Sequence, residues 1–157
     1  MRLLLALLVC LAFSATADAQ VRKDLIELGG SGSISVTDGN AFATFSPVVG
    51  YFISDRIEVG FNPTIRSGLS TNDVFLTAFG AFHFASNPDA RTVPFAGASL
   101  GASLSDGGGL AIGAQGGVKH FVAPGGAVTL AAVVNTNDDF DPIQFGVQAG
   151  VSIFFAR

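Results

Sequence analysis

The chain has no tryptophan, one tyrosine, one methionine and one cysteine. That cysteine, Cys10, lies in the apolar N-terminal run, so everything after it is free of thiol. Disulfide stapling and thiol chemistry are excluded there. Charge is scarce too: 13% of residues are Asp, Glu, Lys or Arg, and the net charge is −4. With no basic cluster, nothing is offered to nucleic acid. Beyond the N-terminus no apolar run approaches the roughly 18 residues a membrane-spanning helix needs. His83 and His120 have no nucleophile at a recognisable spacing. The chain therefore reads as a non-enzyme with no cofactor and no metal. A lipid hydrolase would need a serine and a histidine brought together across strands, which spacing alone does not test.

What is present is hydrophobicity interrupted at every second residue. The sequence is 49% hydrophobic and contains 20 glycines. Its last stretch shows the pattern best. Ile143, Phe145, Val147, Ala149, Val151, Ile153 and Phe155 alternate with Gln144, Gly146, Gln148, Gly150 and Ser152, and only Phe154 breaks the rule. Successive side chains of a strand point to opposite faces, so this is one strand with an apolar side. Its length matches the roughly 9–11 residues a tilted strand needs to cross a bilayer.

The same period recurs up the chain. Ile26, Leu28, Ile34 and Val36 share a face opposite Glu27, Ser31, Ser33 and Ser35. After the turn at Asp38-Gly39 come Phe45, Pro47, Val49, Tyr51 and Ile53, then a tight turn at Ser54-Asp55. Ile57, Val59, Phe61, Pro63 and Ile65 follow, then the even positions of 74–84, of 94–104 and of 110–118. Val128 to Val134 is the seventh stretch, closed by a polar loop over 135–139. Eight strands are expected. A sheet with one face in lipid must close so that no backbone group is left unbonded. The expected fold is all-β: an eight-stranded antiparallel up-and-down transmembrane β-barrel. Both termini and the turns at 54–55, 86–91 and 124–126 would face the periplasm. Tyr51, Phe52, Phe82, Phe84, Phe121, Phe154 and Phe155 would form an aromatic girdle at that end.

The N-terminus reads as an address. Met1-Arg2 is a positive start, Leu3 to Phe13 an apolar core, and Ala17-Asp18-Ala19 has small residues where signal peptidase cuts. Residues 1–19 are the expected signal peptide and residues 20–157 the barrel domain, with a cut after Ala17 as the competing site. Leu8-Val9 before Cys10 fit a lipid-bearing cysteine poorly, since that residue normally follows a small one.

With these features in place, residues 24–157 resemble the eight-stranded outer-membrane barrels typified by the transmembrane domain of outer membrane protein A and its small porin-like relatives. The C-terminal strand resembles their assembly signal through Gln148, Gly150, Ile153 and Phe155. The resemblance implies recognition by the barrel-assembly machinery, periplasmic chaperones on the way, outer-membrane lipid as surroundings and a monomeric barrel in the Gram-negative envelope. Family members commonly end on the aromatic residue, whereas Ala156-Arg157 follow here. No residues remain for a peptidoglycan-binding domain, and long adhesive loops are missing.

Any function inside the barrel must use its polar face. Glu27, Glu58 and Lys119 fall at similar depth near the periplasmic end, and Arg66 and Asp73 near the outer end. Ion pairs between them would plug a lumen that eight strands barely leave open, and Phe75 and Phe79 add bulk. The expected role is an integral outer-membrane barrel, mainly structural, with at most narrow solute conductance. The alternative is a secreted soluble barrel binding a small apolar ligand, as lipocalins do. It would turn the polar face outward. The glycine pairs Gly97/Gly101, Gly113/Gly117 and Gly146/Gly150 lie on one strand face each, as small lumen residues. Asn135 to Asp141 begins like a calcium loop but lacks the central glycine and the closing glutamate.

Overall fold

A computed structural model describes residues 21–37, 40–67, 72–85, 90–104, 109–137 and 143–156. The expected signal peptide and the turn at Asp38-Gly39 lie outside the described residues, as do residues 68–71, 86–89, 105–108, 138–142 and 157. Eight strands run in order: β1 (Leu25–Thr37), β2 (Asn40–Phe52), β3 (Ile57–Ser67), β4 (Asn72–His83), β5 (Thr92–Ser103), β6 (Leu110–Ala123), β7 (Gly126–Asn137) and β8 (Gln144–Ala156). Each is antiparallel to its neighbours, and β8 returns to pair with β1, so the sheet is a closed barrel without an edge. The closing seam is long and regular, from Leu25 opposite Ala156 to Val36 opposite Phe145.

Alternation in sequence becomes inside and outside in space. Among the described residues, twenty-six large hydrophobic side chains are exposed, and every strand contributes some of them. The buried polar residues, among them Glu27, Ser31, Ser46, Glu58, His83, Lys119 and Thr129, face the interior. This is the reverse of a lipocalin-like barrel, which needs an apolar interior for its ligand. The soluble alternative is not favoured by that orientation.

Three details differ from the sequence reading. Phe52, Phe121 and Phe154 are not girdle residues: they are buried inside, packed with Val21, Leu25, Val93 and Ala127. They occupy inward positions of the alternation, and an apolar cluster at the end of the lumen hides them better than the outer surface would. Second, Asn135 and Thr136 belong to β7 rather than to a loop, with Asn135 paired to Gln144. The ladder to β6 continues through them and carries the strand past its apolar positions. Third, β6 runs on through His120, Phe121 and Val122, with a register shift between Phe121 and Ala123 that leads into the turn before Gly126. Gly125 takes a positive φ of 75° in this turn, which glycine adopts without steric cost.

A candidate site in the lumen

The register places four charged or titratable side chains at one level of the interior. Glu27 of β1 stands opposite Gly50 of β2 and Phe154 of β8; Glu58 of β3 stands opposite Phe52 and Ala81. Lys119 of β6 stands opposite Val93 and Thr129. The Lys119 Nζ donates to Glu58 Oε2 at 3.0 Å and also to Glu27 Oε2. Ser152 Oγ donates to Glu27 Oε1 at 2.5 Å, and His83 Nε2 lies 3.5 Å from Glu58 Oε2. All of these side chains are buried.

Two features make the arrangement stable in a low-dielectric interior. Burying an ion costs several kcal/mol unless it is paired and hydrogen-bonded, and here the ammonium has two carboxylates. It also has three aromatic faces, with the Phe154, Phe52 and Phe95 ring centroids 5.5, 5.7 and 5.8 Å from Nζ. Each such contact is worth about 0.5–2 kcal/mol. The second feature is room. A Cβ on Gly50 would collide with the Glu58 carboxylate, lying 3.0 Å from its Cδ and 3.3 Å from Glu27 Cβ. The missing side chain is what lets both acids sit side by side.

Beneath this level the Phe52, Phe121 and Phe154 rings, with Leu25, Val21 and Val93, close the terminal end of the lumen. Phe121 and Phe154 are 5.2 Å apart, and Phe52 is 5.0 Å from the His83 ring. Above it lies a cavity of about 50 Å³, lined by polar side chains that include Ser31, Asn62, Gln115, Thr129 and Gln148. That is space for a few water molecules at roughly 10–15 Å³ each. The site can therefore hold water and small ions from above, while an apolar stopper seals it from below.

Glu27, Glu58 and Lys119 are thus brought together. Arg66 is found near the opposite end, where its guanidinium donates to Gln144 Oε1 at 2.7 Å and stacks on Phe75 at 4.9 Å and Phe42 at 5.8 Å. Arg66 and Asp73 are backbone neighbours across β3 and β4, but the Asp73 side chain lies outside the described residues. On β8, Gln148 and Gly150 fall at inward positions, and Ile153 and Phe155 at outward ones. The sequence reading did not attach His83 or Ser152 to the network. Both stand at inward positions of their strands, but only the register between strands reveals that they share a level with Glu58 and Glu27.

No protein-family model matches the sequence, and no curated protein does. Solved structures do match in shape. The N-terminal β-barrel domain of Pseudomonas aeruginosa OprF superposes with a TM-score of 0.68 at 15% identity, covering 85% of this chain and 98% of that one. The fold is that of the eight-stranded transmembrane β-barrels. Neisserial surface protein A gives a TM-score of 0.59 at 15% identity over 83% of this chain and 96% of its own. A transmembrane β-barrel designed de novo gives 0.63 at 13% identity, covering 87% and 100%.

Proposed function

We propose that this chain is an integral outer-membrane β-barrel, mainly structural, with a lumen that passes little or no solute. One observation carries the reading: the barrel is apolar around its whole outer circumference, while its lumen above the apolar stopper is lined largely by polar side chains. A monomer in water rarely exposes an apolar patch beyond a few hundred Å². Here the exposed belt includes Phe45, Val49, Phe61, Leu76, Leu100, Ile112, Leu130 and Val147, and it runs from strand to strand without a polar interruption. Lipid satisfies such a surface, and a closed sheet satisfies lipid, because no backbone donor or acceptor is left at an edge. On β8 the outward residues from Ile143 to Phe155 span about 40 Å along the strand. At a typical tilt of about 40° this projects to about 30 Å, enough for a band of roughly 25 Å.

The remaining features are part of the same proposal. Residues 1–19 export the chain and are removed. Gln148, Gly150, Ile153 and Phe155 engage the barrel-assembly machinery after periplasmic chaperones deliver the chain, and the mature barrel is a monomer surrounded by outer-membrane lipid. The Lys119 site and the Phe52-Phe121-Phe154 stopper support a closed lumen. Heat-modifiable migration on a gel, performed on the isolated outer-membrane fraction after alkaline extraction, tests location and fold together. A barrel runs at a different apparent size before and after boiling. Recovery in the soluble periplasm overturns the reading.

A further inference from the structure

We infer that Arg22, Lys23, Arg56 and Arg91 form a collar that docks onto the anionic phospholipid headgroups of the leaflet at the terminal end of the barrel. The inference rests on the membrane reading above and adds which lipid the protein prefers, and at which end.

The four cations are placed by topology. Arg22 and Lys23 precede β1, Arg56 precedes β3 and Arg91 precedes β5, so all four stand at the end where the chain enters the barrel. All are exposed, and among the described residues no carboxylate lies within ion-pair distance of their side chains. Two described carboxylates share this rim and each accepts a hydrogen bond, and the connecting sequence before Arg91 adds Asp89. Asp24 accepts the Tyr51 hydroxyl at 2.6 Å, and Asp55 accepts the backbone N–H of Lys23 at 2.9 Å.

Depth fits a headgroup. Arg56 adjoins outward Ile57, and the exposed Ile53, Phe82 and Phe84 mark the end of the apolar belt on the neighbouring strands. A cation one or two residues beyond that belt sits about 3–7 Å outside the hydrocarbon, where phosphate lies. Guanidinium groups grip phosphate through two parallel hydrogen bonds. Between β5 and β6, Arg91 accepts the Phe121 N–H through its carbonyl at 2.7 Å, beside Thr92 and His120, whose Oγ1 and Nδ1 are 2.8 Å apart. The other rim has the opposite character. Its connecting sequences carry Asp38, Asp106, Asp138, Asp139 and Asp141, and the nearest cation, Arg66, is turned into the lumen. An anionic surface therefore meets exposed cations at one end of this barrel and only carboxylates in the connecting sequences at the other.

Tyr51 provides the probe. It is the sole tyrosine in a chain without tryptophan, and it lies on this rim, bonded to Asp24. The full mature chain is refolded into phosphatidylcholine vesicles containing a minor fraction of phosphatidylglycerol, with bromine on the acyl chains of one lipid or the other. Quenching of Tyr51 at equal bromine content is expected to be at least about twofold stronger from phosphatidylglycerol, given a surface attraction near fivefold per cation. The preference disappears in the R22Q/R56Q/R91Q variant and fades at high salt. Equal quenching by the two lipids overturns the collar, as does a preference that survives in the triple variant. Heat-modifiable migration in pure phosphatidylcholine is scored separately. Insertion there without a lipid preference defeats the collar alone, whereas failure to insert into any vesicle defeats the membrane reading and the collar with it.

Discussion

Pro47 of β2 and Pro63 of β3 stand directly opposite each other, and the ladder between the two strands is interrupted there. Pairing runs from Ala43 to Phe45 and resumes in the same phase from Val49 to Phe52. The Ile53 N–H bonds to the Ile57 carbonyl at 3.0 Å, which shows that the odd positions are the bonded ones. Two prolines at one such position remove both donors. Inside the barrel, Ser46 Oγ and Thr64 Oγ1 bridge the gap at 2.8 Å.

Replacing both prolines by valine restores up to two hydrogen bonds of about 0.5–1.5 kcal/mol each. The unfolded chain regains freedom worth about 0.4–1 kcal/mol per site. These nearly cancel, so stability is the wrong readout. Amide hydrogen exchange reads the ladder directly: the Val49 and Phe61 amides exchange faster than their counterparts between β1 and β2, and P47V/P63V slows them. Uniform protection across both ladders in the unmutated protein contradicts the interrupted seam.

Outer and inner faces differ in their tolerance of charge. Leu130→Arg, at an exposed position in the middle of β7, costs roughly 2–4 kcal/mol in a folding titration in vesicles. Val59→Arg costs less because it stands nearer the rim. Thr64→Arg faces the lumen, so its cost comes from crowding and the lost Ser46 contact, not from lipid. Equal costs at Leu130 in vesicles of thin and thick hydrocarbon would speak against depth as the cause.

Lys119 holds two acids together. Lys119→Met leaves Glu27 and Glu58 adjacent and buried without a cation, which costs about 3–5 kcal/mol. The triple variant E27Q/E58Q/K119M removes the charge altogether and recovers most of that loss. Urea titrations of the unmutated protein and the two variants form the test; a triple variant as unstable as K119M would show that packing matters here, not charge.

Gly50 makes the space those acids occupy. Gly50→Ala pushes a methyl group into the Glu58 carboxylate and costs about 1–3 kcal/mol through overpacking. In the E58A background the collision is gone, so the second substitution becomes nearly free. Additive losses in this double-mutant cycle would contradict the contact.

Conductance follows from the stopper. Planar-bilayer recordings of the unmutated protein are expected to show no large steady steps. The variant F52A/F121A/F154A, which removes three rings from the apolar cluster, opens the terminal end and produces measurable ion flow. Large steps from the unmutated protein would show a lumen wider than its packing allows.

The strand count, the outward face of each strand and the closed barrel were legible in the sequence, because a period of two is a local property and lipid demands it on every strand. Ile57 to Ile65 and Ile143 to Phe155 declare their outer face without reference to anything else in the chain. Level was only partly legible. Counting along alternating strands puts Glu27, Glu58 and Lys119 at similar depth, but their contact, the addition of His83 and Ser152, and the space at Gly50 depend on the register between strands far apart in sequence. The inward rings of Phe52, Phe121 and Phe154 show the limit best. An aromatic residue near a strand end suits a girdle as well as a stopper by composition, and only closure of the barrel, which brings β2, β6 and β8 around one narrow lumen, decided that these three pack against each other instead of facing lipid.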